Sequence, residues 1–471
     1  MRAFTYLFVF LSAIAICGDR PCFAEESLSV EDRVLRMEQE IRELQRKNEI
    51  LEQEVQLLRE IVKEPGAELG ILASDGSLEA SPVTEAQVAP QFDVGYKNGF
   101  FIASDDDMFA LQLGGRVTGR LTVFESDYPL YDEFSLERAR LETDATVFDY
   151  YTLRVTVEFA DSPKLKDGYI DVHYFPEARL RAGQFKVPFS WEALQSHKYL
   201  DFADLSLAVN NMRGSRDIGA MVHGVLFDDL ISYQLAVLNG SGENRGDNNS
   251  SKDIAARVAL LPFVEFDNEL TSSMLLGASG TYGDQNTDLS DTAFRTIAGT
   301  EFVQFLPDSF LKGTRTRLGT EFIWPIGPAS IKSEWMRMWF DDLRNTATVV
   351  EEDVSFDGWY VSGTYLLTGE KKTLGRLIPL KPFDPFKRTW GAWELAARYS
   401  LFASEDDLFD LGFAEGTEKA EAFTAGLNWY LNANMRMIFD FEHTEFEDEL
   451  ILEGESVDDE DVLFVQWQLE F

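Results

Sequence analysis

The chain has 471 residues, 13% of them aromatic, and a formal net charge of −40 at pH 7. Such an acidic chain disfavours nucleic acid as a partner, because the phosphate backbone repels it. Both cysteines, Cys17 and Cys22, lie near the amino terminus. The chain beyond them therefore has no disulfide, zinc–thiolate site or cysteine nucleophile.

Residues 1–24 have the pattern of a secretory signal peptide. A positively charged start precedes an almost wholly apolar stretch at 3–16, and a small-x-small cleavage site follows at 22–24. The apolar stretch is too short to span a membrane as a helix, and no later segment offers about 18 apolar residues in a row. We therefore expect the chain to be exported beyond the inner membrane.

Residues 27–62 have the heptad pattern of a coiled coil. The a positions are Val34, Ile41, Asn48, Val55 and Val62, and the d positions are Val30, Met37, Leu44, Leu51 and Leu58. β-branched a residues with Leu at d favour a dimer, and a polar a residue fixes the register. The alternative is an amphipathic helix packed on its own domain. Residues 63–91, rich in Pro, Gly and small polar residues, are predicted to be a flexible linker.

From residue 92 to 471 the hydrophobic period is two, which predicts an all-β fold. After a short hairpin across 105–107 we expect about sixteen strands, a number typical of transmembrane antiparallel β-barrels. The predicted strands are 108–125, 133–147, 150–160, 167–175, 178–185, 217–226, 231–240, 252–263, 270–282, 313–324, 328–340, 355–367, 390–402, 421–432, 434–447 and 460–471. The predicted fold is thus a barrel preceded by a coiled-coil helix.

Short and long connections alternate along these strands, as in outer-membrane barrels with short periplasmic turns. The long connections are 186–216, 241–251, 283–312, 341–354, 403–420 and 448–459. The basic stretch 368–389 breaks the alternation, so it is either a real periplasmic excursion or a misplaced strand. Residues 293–305 are alternatively a further strand pair.

The last strand indicates which way the sheet faces. Its two faces carry Leu463, Val465, Trp467, Leu469 and Phe471 on one side and Phe464, Gln466, Gln468 and Glu470 on the other. In a membrane barrel the apolar face meets lipid and the polar face lines a wet lumen. We therefore expect the first face to contact lipid. A last strand that ends in Phe also resembles the signal that the assembly machinery reads in outer-membrane barrels.

Several motifs occur in order along 92–471. They are GQFKVPF at 183–189, RDIG at 216–219, GWYV at 358–361, YLLTGE at 365–370, GAWELAARYS at 391–400 and GLNWY at 426–430, with the early basic strand FSLERARL at 134–141. Together they resemble the phosphate-selective porin O/P family of Gram-negative outer membranes. The resemblance implies a sixteen-stranded barrel, usually trimeric, that passes phosphate or other anions passively, although some members are thought to carry polyphosphate or small amides.

An anion pore needs fixed positive groups in a polar lumen, and the planar fork of Arg suits phosphate. The candidate solute-contacting residues on predicted lumen faces are Arg116, Arg120, Arg138, Arg140, Arg154, Arg179, Arg181 and Arg257. Further candidates, Lys186, Arg213 and Arg216, belong to the connection 186–216, which in porins folds inward and narrows the channel. The alternative is that these cations pair with lumen acids such as Glu142, Asp144, Glu158, Asp171 and Glu394 and brace the wall.

Three functions remain open from the sequence. An anion-preferring porin fits the motifs; a general or cation-leaning porin fits the acid-rich outer loops; an envelope-tethering protein would use the barrel as an anchor and the coiled coil as the working part. No cofactor, metal or catalysis is expected, since the histidines are scattered and no catalytic or nucleotide motif is evident. His197 is expected to be an ordinary polar loop residue.

The expected partners follow from the same patterns. They are outer-membrane lipid, small anions such as phosphate, and two further copies of the chain in a homotrimer. The coiled coil, in the periplasm, is available for a cell-wall contact. Deleting 27–62 should damage envelope integrity while sparing uptake if tethering is the main role.

Overall fold

The structure is a computed structural model that describes residues 91–106, 108–126, 128–264 and 271–471. The predicted signal peptide, the coiled coil at 27–62 and almost all of the linker lie outside these ranges. No helix among the described residues is long and apolar enough to span a membrane.

The described chain is built mainly from antiparallel strands. The strands are β1 Phe92–Tyr96, β2 Phe100–Ser104, β3 Phe109–Phe124, β4 Glu133–Val147, β5 Tyr151–Glu158, β6 Lys164–Phe175, β7 Ala178–Lys186, β8 Arg216–Leu226, β9 Ile231–Leu238, β10 Asp253–Leu260, β11 Leu275–Asp284, β12 Thr287–Asp288, β13 Ala293–Arg295, β14 Glu301–Phe305, β15 Ser309–Leu311, β16 Thr314–Ile326, β17 Ala329–Asn345, β18 Val350–Leu366, β19 Ala392–Ser404, β20 Ala414–Gly416, β21 Lys419–Tyr430, β22 Met435–Leu452 and β23 Glu455–Glu470. The helices are α1 Trp191–Leu194, a 3₁₀ turn His197–Tyr199, α2 Leu207–Met212 and α3 Asp407–Asp410.

Sixteen of these strands close into a barrel, which confirms the predicted all-β antiparallel barrel and its strand number; the coiled-coil part of the prediction is not tested. The main sheet has 20 strands, of which β1, β2, β12 and β15 extend it beyond the rims. Closure is made by β23 against β3, from Val462 opposite Phe124 to Glu470 opposite Arg116. Each of the sixteen predicted strands overlaps one barrel strand. A closed barrel pairs every strand on both edges, which is a condition for crossing lipid.

The two faces of the barrel have the predicted sense. On β3 and β23 the lumen residues Arg116, Gln466 and Gln468 are buried, whereas Val117 and Leu469 are exposed on the outside. Aromatic side chains collect on the outer face at the short-turn end, in the position of an interfacial girdle. They include Tyr150, Tyr151, Tyr174, Trp390, Trp393 and Trp429.

The final residue completes the closure. Phe471 N donates to Gly115 O at 3.0 Å, and Gly115 N donates to Phe471 O at 2.9 Å. A Cβ at position 115 would lie 2.5 Å from the Phe471 ring, so a larger residue there would displace this ring. Next to this contact, β2 pairs with the same edge of β3 that β23 occupies, with Phe100 opposite Leu113. The terminal Phe therefore fills the join between the last strand and the amino-terminal hairpin.

The connections settle the two points that the sequence left open. Residues 293–305 are a strand pair, β13 with β14, and β14 also pairs with β20. The stretch between β18 and β19 is a real excursion at the short-turn end, because β18 begins at the long-loop end and ends at the other. The strand on either side of it was correctly placed.

An apolar core fills part of the lumen at the long-loop end. Phe294 of β13 lies 5.2 Å from Phe356 of β18 and 4.9 Å from Phe402 of β19, measured between ring centroids. Met212 of α2 and the loop residue Phe413 are buried in the same cluster. The same cluster includes buried side chains of β6 to β10, so the apolar core reaches both sides of the barrel at this end.

Candidate pore and constriction segment

Residues 187–215, here called the constriction segment, fold into the lumen as the prediction for this connection required. Trp191 N and Glu192 N donate to the carboxylate of Glu334 on β17, at 3.0 and 2.8 Å. Ala203 N donates to Asp440 Oδ2 on β22 at 2.7 Å. These acids lie on lumen faces of distant strands, so the segment crosses the interior of the barrel.

The centre of the constriction segment is fixed by a buried ion network at Asp201. Lys332 Nζ on β17 and Lys372 Nζ lie 2.6 and 2.7 Å from its carboxylate, and Lys372 also contacts Glu394 on β19 at 2.5 Å. Burial alone would raise the pKa of Asp201, but the two ammonium groups outweigh it and hold this pKa below its usual range. Asp201 therefore stays ionised and ties the segment to β17 and to the excursion between β18 and β19.

A second network surrounds Asp204. Its carboxylate accepts ion pairs from Arg120 and Arg138, both at 3.2 Å, and these arginines, with burial opposing them, hold the pKa of Asp204 below its usual range. His197 Nε2 lies 3.8 Å from Asp204 Oδ1. The expectation of an ordinary polar loop residue is wrong for His197. It is buried, and burial together with the charges of Arg138 and Lys186 lowers its pKa well below the usual value.

Most of the predicted basic residues are braced by acids rather than free. The pairs are Arg140 with Glu158, Arg154 with Asp144, Arg181 with Asp171, Arg216 with Asp167 and Arg257 with Glu321, in addition to Arg120 and Arg138 with Asp204. Lys186 Nζ instead donates to the carbonyls of Ala193 and Gln195, both at 2.8 Å, at the end of α1. The bracing alternative therefore describes most of the candidate set, and a solute contact for these residues stays a prediction.

Three of the predicted cations have no such partner. Arg179 and Arg213 form no hydrogen bond or ion pair with the described residues. Arg116 is only 1% exposed, and its Nε and Nη1 have no hydrogen-bond partner among the described residues. Lys198 of the constriction segment reaches the neighbouring Glu142 at 2.8 Å. Arg116 is thus sealed behind the segment and does not face open lumen in this conformation.

The arginines that do face open space surround a cavity of about 330 Å³ at the long-loop end, here called the basic vestibule. Its charged lining is Arg213, Arg216, Arg245, Arg315, Arg317, Asp217 and Asp253. Arg315 pairs with Asp253 at 3.2 Å. The carboxylate of the other acid, Asp217, accepts a hydrogen bond from Gly240 N at 2.7 Å. The vestibule therefore carries an excess of positive charge.

Arg317 is a second poorly satisfied cation of the basic vestibule, beside Arg213. It is 8% exposed, its Nε has no hydrogen-bond partner among the described residues, and its Nη1 reaches only Thr281 Oγ1 at 3.4 Å. Arg315 and Arg317 lie two residues apart on β16, so the alternation of the strand predicts that both face the lumen. No local pattern in the sequence predicts that Arg213 and Arg245 lie beside them. Such an arrangement can accept an anion by replacing water with donors that are already positioned.

Comparisons with known proteins agree with this geometry. The family model described as phosphate-selective porin O and P matches residues 112–471. Among solved structures, the outer membrane channel DcaP of Acinetobacter baumannii is 14% identical and matches 79% of this chain and 99% of its own, with a TM-score of 0.51. An anion-selective porin from Comamonas acidovorans is 12% identical and matches 77% of this chain and 100% of its own, with a TM-score of 0.50. At these identities the likeness concerns the fold alone. No curated protein sequence matches the chain.

Proposed function

Since the chain belongs to the phosphate-selective porin O and P family, we propose that it is an outer-membrane porin whose passive channel prefers anions such as phosphate. The observation that carries the preference is the basic vestibule, where neither Arg213 nor Arg317 forms an ion pair with a carboxylate of the described residues. Together with the lumen arginines beyond it, this cavity offers anions a favourable position at the outer end of the pore.

The physical reason is the difference between paired and unpaired arginines. An Arg–carboxylate pair has little net charge, so it shapes the wall without attracting ions from a distance. An unpaired guanidinium keeps its charge at any working pH and donates in a planar fork that matches phosphate oxygens. Selectivity should therefore depend on Arg213 and Arg317 more than on braced residues such as Arg154.

The test is the reversal potential of the purified porin in planar bilayers under a salt gradient. The wild type should give the sign of an anion channel, and Arg213→Gln with Arg317→Gln should move the potential towards zero. Two charges about 8 Å apart interact by about 0.5 kcal/mol even in water, so removing both cations should lower the anion-to-cation permeability ratio at least about fivefold. Arg344→Gln, which removes an Arg paired with Glu351 beyond the barrel wall, serves as the control. A wild-type potential of cation sign would refute the anion preference.

A general or cation-leaning porin is the second candidate. It is supported by the acids of the outer loops, among them Asp341, Glu405, Glu447 and Asp459, which lie at the long-loop end. In that case the two arginine substitutions would leave the permeability ratio unchanged, and the wild-type reversal potential would lie near zero or on the cation side.

We further propose a homotrimer with the coiled coil, 27–62, in the periplasm, on the basis of the family and of the heptad pattern. Cross-linking of the full chain in detergent should give trimers. A chain lacking 27–62 should give fewer trimers if the coiled coil holds the subunits together. Unchanged trimers accompanied by a leaky envelope would favour the tethering role instead.

A further inference from the structure

The excursion between β18 and β19 passes from the lumen over the rim to the outside of the barrel. Its early residue Lys372 lies inside, bound to Asp201 and Glu394. Its later residue Phe383 lies outside, because its ring packs 5.3 Å from Trp429, measured between centroids. Trp429 belongs to the lipid-facing side of β21, since its neighbour Asn428 points inward and donates to Asp201 O.

Residues 380–390, here called the rim turn, are fixed to the aromatic girdle. Trp429 Nε1 donates to Trp390 O at 2.6 Å, and Phe383 N donates to Leu431 O at 2.6 Å. Trp429 also stacks on Trp393 of β19, with centroids 5.1 Å apart. The rim turn thus continues the surface by which the barrel meets the membrane interface.

The rim turn is held closed by its own hydrogen bonds. Asp384 and Thr389 exchange two backbone bonds of 3.1 Å, and Thr389 Oγ1 donates to Pro382 O at 2.6 Å. Asp384 Oδ1 accepts from Phe386 N and Lys387 N, at 2.9 and 3.1 Å. The tip is therefore preformed, which lowers the entropic cost of binding.

This preformed tip displays apolar and basic groups together. Phe386 is 97% exposed, and Leu380 and Trp390 beside it are also exposed. Lys381 and Arg388 form no ion pair with the described residues, while Lys387 is paired with Asp384 at 3.1 Å. Exposed apolar groups flanked by unpaired cations are the composition of an element that lies in a membrane interface.

We propose that the rim turn is a phospholipid-binding anchor, which places Phe386 in the interface of the periplasmic leaflet and holds anionic headgroup phosphates with Lys381 and Arg388. Continuity with the girdle sets its depth, because Phe383 and Trp390 already lie at the height of the interfacial aromatics. Charge complementarity selects anionic lipid, since basic residues near a surface are attracted by its negative potential. The anchor does not depend on which solute the pore passes.

The test uses a nitroxide label at Phe386→Cys in the full chain carrying Cys17→Ser and Cys22→Ser, reconstituted in vesicles that contain phosphatidylglycerol. Collision with oxygen, which concentrates in lipid, is compared with collision with a water-soluble nickel complex. Labels at the lipid-facing Leu395 and at Val349, an exposed turn residue between β17 and β18, give the two reference values. We expect the ratio at 386 to lie close to that at 395. A ratio like that at 349 would overturn the proposal, and so would a label shielded from both reagents, which would indicate a protein partner.

The headgroup contact is tested by adding Lys381→Glu and Arg388→Glu to the labelled chain. In phosphatidylglycerol vesicles these changes should shift the ratio at 386 towards the water value, and in pure phosphatidylcholine vesicles they should not. Lys164→Glu, at the opposite end of the barrel, is the matched control and should shift nothing. An equal shift in both lipids, or none in either, would overturn the assignment of anionic headgroups.

Discussion

Replacing Asp201 with Asn should release the middle of the constriction segment. The change removes the carboxylate that Lys332 and Lys372 share, and all three side chains are 5% exposed. Lys372 keeps Glu394, so Lys332 is the charge left without a carboxylate in contact. Breaking a buried ion pair in this way costs about 3–5 kcal/mol. This cost corresponds to a shift of roughly 10² to 10³ or more in the ratio of released to anchored segment.

The barrel itself should survive this change, because its strands are paired on both edges and the segment keeps its contacts to Glu334 and Asp440. Amide hydrogen exchange is the direct assay: protection should fall in 187–215 and stay unchanged in β3 and β23. Single-channel recordings should show a noisier open state. Asp161→Asn, at an exposed site, is the control. Unchanged exchange in 187–215 would refute the assignment of Asp201 as the anchor.

The same structure makes three further predictions. Inward folding lowers the pKa of His197, so the anchored segment should lose stability as pH falls below the value of about 6.5 for free His. His197→Gln should remove this pH dependence of hydrogen exchange in 187–215, and an unchanged pH dependence in the variant would contradict the prediction. Removing Phe471 should impair assembly into membranes, measured as the heat-resistant folded fraction, because its backbone and ring close the join at Gly115. Arg154→Gln with Asp144→Asn removes a braced pair without changing net charge, so the permeability ratio should stay within about twofold of the wild type; a fivefold change would show that braced arginines set selectivity.

The strands and their faces could be predicted because they depend on local alternation. Val117 and Arg116 take opposite faces whatever their neighbours are. The assignment of Phe471 to the closing strand depended only on the alternation of the residues just before it. The strand pair at 293–305 remained open because β13 and β14 have only 3 and 5 residues, too few for a periodic signal.

The partners of lumen charges could not be predicted, because they depend on register. Arg154 meets Asp144 only because the turn at Phe148 and Asp149, both with positive φ, aligns β5 with β4 in one particular way. A shift of the pairing by two residues would keep both on the lumen face and break the pair. Arg213 and Arg317 are still farther apart in the sequence. They come together only because the constriction segment leaves the barrel wall and folds into the lumen.

The formal net charge of −40 is compatible with the proposed anion pore, because many of the acids are paired with arginine or lie outside the lumen. In the lumen beside β3 to β8, Asp144, Glu158, Asp167 and Asp171 are each in contact with an Arg. Other acids lie on the outer face near the long-loop end, such as Asp459 and Asp461 beside His443. Salt screens exposed charges beyond about 8–10 Å, so these acids hardly affect the interior. Under the proposed function, the unpaired arginines of the basic vestibule select the ions, so changing two residues there should alter selectivity more than changing exposed acids of the outer loops.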